Sequence, residues 1–160
     1  MENLMNYFET YGIQIGKGKY HEEVIYGIVL AFNLLNNAMT SYLRDFNLTP
    51  AQLNVLMVIK HQGQKDGISQ IEISKKLIVT ASNTTRLLDK MEKEKLVERL
   101  SQEGDRRVKI VKITEKGAKL LDAVWPAYNE KLEKLTSNLN KDEQKIVSEI
   151  LIRLVNGLAG

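Results

Sequence analysis

The 160-residue chain has no cysteine, two prolines, two histidines and one tryptophan. Without cysteine there can be no disulfide, thiolate metal site, cysteine nucleophile or thiol-based redox sensor. His21 and His61 have no nucleophile or acidic partner in a catalytic pattern, and two histidines without a thiol make a poor zinc site. No glycine-rich phosphate loop occurs. The expectation is a protein that is not an enzyme and needs no cofactor or metal. The opening MENLMNYFET has no basic region followed by an apolar block, so it is not read as a secretory signal. The sequence is also read as lacking a stretch of about 18 uncharged apolar residues, so no membrane span is expected and the location is cytoplasmic.

What is present is an ordinary apolar fraction of 43%, enough for one domain, or one domain with oligomerising arms. The net charge of +3 is unevenly placed: residues 49–114 carry +5, residues 1–48 carry −2 and residues 115–160 are balanced. A basic middle third fits either a solvated face or a surface for nucleic acid.

Val24, Ile28, Phe32, Leu35, Met39, Leu43 and Phe46 recur at helical spacing, which predicts a helix over 22–46. Residues 1–21, with Gly12, Gly16 and Gly18, read as an irregular arm. Thr49-Pro50-Ala51-Gln52 is a helix start, with a capping threonine, proline in the first turn and glutamine three residues after the cap. Leu53, Leu56, Met57 and the Lys60 stem follow on one face, up to Gly63. Ser69-Gln70-Ile71-Glu72 reads as a second capping box, with Ile73 and Leu77 inward. Thr80 can cap a third helix, which has Thr84, Leu87, Leu88 and Met91 on one face and Ser82, Thr85, Arg86, Asp89 and Lys93 on the other. A short helix, a tight turn and a polar-faced second helix form a helix-turn-helix. LVERLS (96–101) and VKIVKIT (108–114) then read as two strands, with a bulge or double coverage explaining imperfect alternation in the second.

The predicted fold is therefore mainly α, a winged helix-turn-helix core over 49–114. An arm and dimerisation helix (1–48) precede it, and dimerisation helices (115–160) follow. In the last region a helix from Glu115 runs through Pro126 with a kink. Asn140 and Glu143 then cap a helix striped by Ile146, Val147, Ile150, Leu151, Leu154, Val155 and Leu158. So small a core cannot cover those stripes, which predicts a two-fold homodimer presenting two recognition helices to double-stranded DNA. Of the adjacent Arg106 and Arg107 at the hairpin, Arg107 is the candidate for the neighbouring minor groove, oriented by Asp105, and Arg106 for a general phosphate contact.

LTPAQLNVL, ISKKLIVTASNTTRLLDKMEKEKLVER and GDRRVKIVKITEKG together resemble the MarR family of transcription regulators over residues 48–117, and more loosely over 22–155. The resemblance implies a triangular homodimer of six-helix subunits that represses genes from a palindromic operator and is released by small molecules. Carried over by position, it implies DNA contacts from Ser82, Asn83, Thr85 and Arg86, and from the Asp105–Arg107 pair. Lys90 and Arg106 are added as candidate contacts. Lys95 departs from the family's pattern, which has glycine at that helix end. The resemblance also implies a site for a small aromatic or carboxylate effector, with candidate walls Phe32, Asn36, Met57, His61 and Tyr128. The alternative reading is a winged helix that contacts only protein.

Overall fold

In the computed structural model the described residues are 7–63, 66–77, 84–102 and 105–160, with 102 and 105–107 described by backbone alone. Thr80, the expected cap, lies outside them. The elements are α1 (Tyr20–Arg44), α2 (Pro50–Gln62), β1 (Ile68–Ser69), α3 (Gln70–Lys76), α4 (Thr84–Lys93), β2 (Val97–Gln102), β3 (Asp105–Ile113), α5 (Glu115–Leu135) and α6 (Lys141–Ala159). The three strands form an antiparallel sheet in the order β1-β3-β2. Three helices followed by a hairpin make a winged helix-turn-helix.

Local chemistry starts the helices. The Thr49 hydroxyl accepts from the Gln52 amide at 3.2 Å, and the Gln52 carboxamide accepts from the Thr49 amide at 3.0 Å. Asn140 and Glu143 exchange bonds in the same way at α6. The box expected at Ser69 is only half formed. Its hydroxyl accepts from the Glu72 amide, but the Glu72 carboxylate turns to Lys75 at 2.9 Å, because a charge-assisted bond one turn on competes with the cap. Proline in the interior does not break α5, which continues past Pro126.

The core joins Leu53, Val55, Leu56 and Ile59 of α2, Ile73 of α3, Leu88 and Met91 of α4, and Val97 and Val111 of the wing. It also takes in Leu43 and Leu48 before that segment, and Leu121 and Val124 after it. Helix α2 is buried on more sides than its expected stripe, since Val58 and the carboxamide of Gln52 are inside as well. Lys60 is exposed and forms an ion pair with Asp122 of α5. The short strand β1 was not expected. It sets Ile68 opposite Val111 and gives β3 a hydrogen-bonded neighbour on each edge, so β3 is the central strand of the sheet. The pairing is regular from Lys109 to Ile113, so no bulge separates Ile110 from Val111; the register shift lies at the hairpin end, between Ser101 and Gln102. Toward the turn both strands run further than read, to Gln102 and from Asp105, so Arg106 and Arg107 belong to β3 by backbone and not to a loop tip.

Outside the core the apolar surface is open. No residue of α6 is buried. In α1 only Met39 and Leu43 are buried, while Val24, Ile25, Phe32 and Leu35 are 42–55% exposed. Residues 24–43 carry no charge, so α1 is long and apolar enough to cross a membrane by length and composition. This overturns the expectation that no such stretch exists. Polar Asn33, Asn36, Asn37, Thr40 and Ser41 hid the run. The end of α1 is nevertheless built into the core, where the Tyr42 hydroxyl donates to the Val124 carbonyl at 3.0 Å. The N-terminal arm is not wholly irregular. Residues 7–10 are helical, and Phe8 lies against Gly27 of α1.

Helix α4 ends with the Leu96 amide bonded to the Met91 carbonyl and the Lys95 amide to that of Glu92, leaving Lys95 left-handed at φ 59°. This is the position that favours glycine. Lys95→Gly should raise stability by roughly 0.5 kcal/mol. It relieves ~1–2 kcal/mol of left-handed strain and adds ~0.5–1 kcal/mol of unfolded-chain freedom. Chemical denaturation checks this, with the midpoint rising at constant slope.

Candidate nucleic-acid interface

Helix α4 is strongly two-faced. Leu88 and Met91 are fully buried, whereas Thr85, Arg86, Lys90 and Lys93 are exposed along the opposite side. The buried pair fixes the helix's rotation, and the polar side is what remains for a ligand. Ser82 and Asn83 lie outside the described residues. Asp105, Arg106 and Arg107 are placed by backbone alone, at the start of β3, where Asp105 is opposite Gln102. The backbone therefore places these three residues next to the hairpin turn, in a hairpin whose β2 strand packs against α4. Lys109 also projects from this hairpin, its ammonium donating to the Ser101 hydroxyl at 2.9 Å.

Two supporting contacts were not foreseen. The Gln70 carboxamide at the start of α3 donates to the Thr85 hydroxyl at 2.9 Å, joining the two helices of the motif through a residue on its polar side. The second is a cluster around Arg99 of β2. Its guanidinium reaches Asp89 and Glu92 of α4 at 2.6 Å each, and its backbone amide donates to Glu92 at 3.2 Å. Asp89 was expected on the face free for DNA, but its carboxylate is taken by Arg99. The sequence signal was available in part: two acids one helical turn apart, with a cation a short turn later.

The bonds from Arg99 hold the Glu92 carboxyl below its ordinary range, and Glu92 in turn raises the guanidinium. A depressed carboxyl contributes stability that is present above its unfolded value and lost as pH falls through the lowered one. Glu92 and Arg99 are therefore both charged at neutral pH. Among the described residues no group of three histidine, aspartate or glutamate side chains could hold a metal ion.

Of the five candidate effector walls, Met57 and Tyr128 pack against the core, with Tyr128 stacked on Trp125 at 5.6 Å. Phe32, Asn36 and His61 are exposed in the single chain. None of the five lines the cavity of about 610 Å³ between the arm and α1, which is walled by Tyr11, Ile13, Tyr26, Val29, Leu30 and Asn33 among others.

The sequence pattern of the MarR family matches residues 46–108, from the start of α2 to the wing. An uncharacterized HTH-type transcriptional regulator of Bacillus cereus is 31% identical over 126 residues, covering 76% of this chain and 80% of its own length. The HTH-type transcriptional regulator MhqR of Bacillus subtilis is 28% identical over 124 residues, or 78% of this chain and 83% of that protein. Among solved structures, a mutant MarR from Escherichia coli complexed with operator DNA superposes with a TM-score of 0.74 at 27% identity, covering 86% of this chain and 99% of that one.

Proposed function

The chain belongs to the MarR family of DNA-binding transcription regulators, and from that premise we propose that it is a cytoplasmic homodimeric repressor acting on a palindromic operator. The relatives are regulators and not enzymes. The carrying observation is the exposed polar side of α4, with Thr85, Arg86 and Lys90, standing beside a basic hairpin in a fold that E. coli MarR presents to operator DNA. In this reading Ser82, Asn83, Thr85 and Arg86 approach base edges and phosphates in the major groove, with Lys90 and Arg106 on phosphates. Arg107 enters the minor groove, oriented by Asp105 two residues before it. Each half-site receives one subunit. The exposed stripes of α1 and α6 support the dimer, since such faces need a partner. Release by a small aromatic or carboxylate effector bound beside Phe32, Asn36, Met57, His61 and Tyr128 completes the proposed cycle.

Selection of DNA fragments by the purified protein, followed by a salt series on the selected fragment, tests the reading. Affinity should fall steeply between 50 and 300 mM salt (roughly, by orders of magnitude) if several phosphates are neutralised. Salt-independent retention would favour the protein-contact alternative. The wing makes a finer prediction. Arg107→Ala should remove most of the wing's contribution, and Asp105→Ala nearly as much, although the latter deletes a charge that repels phosphate. The double variant should be little worse than either single one. Arg106 should tolerate lysine and Arg107 should not. Tighter binding by Asp105→Ala at fixed salt would show that the aspartate only repels.

A further inference from the structure

We propose that Arg99 is a positioning residue for DNA binding, which sets the angle of the β2–β3 wing against the recognition helix α4. The proposal rests on the reading of α4 and the wing as the DNA surface. Arg99 sits in the middle of β2, opposite the fully buried Val111 of β3. Along β2 it shares the strand face of buried Val97, two residues earlier, so its side chain leaves the sheet on the inner side. Its side chain is only 19% exposed. There it meets Asp89 and Glu92, one turn apart on α4. Nη2 donates to both carboxylates at 2.6 Å, Nε donates to Glu92 Oε2 at 3.0 Å, and the backbone amide donates to Glu92 Oε1 at 3.2 Å.

One helix carboxylate is thus held by both the side chain and the main chain of a strand residue. The arrangement fixes direction as well as distance. A planar guanidinium bonding two carboxylates resists rotation of the hairpin about its base, as a single apolar contact does not. Arg99 is opposite Val111, and Arg107 and Arg106 stand four and five residues nearer the turn on β3, so a rotation at Arg99 is amplified where they lie. Tolerance at the reading surface is small, because phosphate and groove contacts need positions held within roughly 0.5 Å.

A simpler role competes with this one. Asp89 and Glu92 place two negative charges on a helix that approaches phosphate, and Arg99 could merely neutralise them. Three variants separate the two roles, each measured by anisotropy on the selected fragment. Arg99→Lys keeps the charge and loses the fork. Arg99→Ala loses both. The triple variant Arg99→Ala, Asp89→Asn, Glu92→Gln removes the carboxylate charges too. Positioning predicts that Arg99→Lys binds at least about fivefold more weakly with an unchanged far-ultraviolet spectrum. Its salt slope should fall by about one, as a wing cation loses its phosphate. The triple variant should bind no better than Arg99→Ala, and hydrogen exchange at Leu100 and Ile110 should accelerate about tenfold or more in each variant. Should Arg99→Ala fail to fold, Arg99→Lys carries the test alone. Wild-type affinity in Arg99→Lys, or recovery in the triple variant, would overturn positioning and leave the DNA reading intact. A wild-type protein that binds no selected fragment would overturn both.

Discussion

Leu151→Asp with Leu154→Asp is expected to give monomers or insoluble chain, and to abolish operator binding with the dimer. The physical case begins with α6, where no residue is buried and where Ile146, Val147, Ile150, Leu151, Val155 and Leu158 are all exposed, from 41% to 77%. The residues repeat at three and four, so they form one stripe and not a scatter of tolerated surface residues. A second open stripe lies on α1, through Val24, Ile28, Phe32 and Leu35. A helix of 19 residues with nothing behind its apolar side is not stable by itself in water. In the proposed dimer, two α6 and two α1 helices cover one another about the two-fold axis. Placing two carboxylates per subunit there buries charge without a partner, at a cost of several kcal/mol each, roughly. A lone subunit then meets one half-site. It keeps about half the contacts and drops by at least ~30-fold in affinity, since specific complexes exceed non-specific ones by ~4–10 kcal/mol in all and half of that is ~2–5 kcal/mol. Light scattering and anisotropy on the same samples decide it. A variant that stays dimeric and folded would move the interface elsewhere.

How far the sequence exposes these features depends on how local their cause is. The caps at Thr49 and Asn140 are legible because three consecutive peptide units and one side chain decide them. The stripe of α6 is legible because one side faces a single environment. Helix α2 is less so: with Leu53, Val55, Leu56, Val58 and Ile59 all inside, it has no polar side from which to read a period. Strand β1 has two residues and no pattern of its own, and exists because β3 offers an open edge. The long uncharged run of α1 was hidden by its asparagines. Of the candidate interface, Thr85 and Arg86 follow from the period of α4. The Arg99 cluster and the Gln70–Thr85 bond do not, because they join residues that meet only after the turn and the hairpin have formed. The departure at Lys95 was legible from the resemblance to the family's pattern, and the left-handed backbone there answers it.

The largest effect of a single methyl group should fall at Gly117. Thr114 caps α5 by accepting from the Gly117 amide at 3.1 Å. The same threonine is tied back to the end of the recognition helix: its amide donates to the Leu96 carbonyl at 3.1 Å and its hydroxyl to the Lys95 carbonyl at 2.6 Å. These bonds draw the first turn of α5 so close that a β-carbon on residue 117 would stand 2.1 Å from the Leu96 carbonyl oxygen, with Ile113 Cγ1 at 3.0 Å. The obstacle is backbone, which cannot turn aside as a side chain would. The glycine in the T-E-x-G run thus serves close approach, and the threonine holds that approach in place. In Gly117→Ala, α5 must lift away from Leu96 and give up one or both threonine bonds. Overpacking costs ~1–3 kcal/mol and each lost bond about 1 kcal/mol, giving roughly 2–5 kcal/mol in all. For a chain of this size the thermal midpoint should fall by roughly 5–20 °C. Combining the change with Lys95→Gly tests whether strain or collision dominates. The two positions flank Leu96 in space, so a collision predicts that relief of strain at residue 95 recovers no more than its own ~0.5 kcal/mol. Full recovery in the double variant, or a midpoint within about 2 °C of wild type for Gly117→Ala alone, would show that the junction yields and that the glycine is there for some other reason.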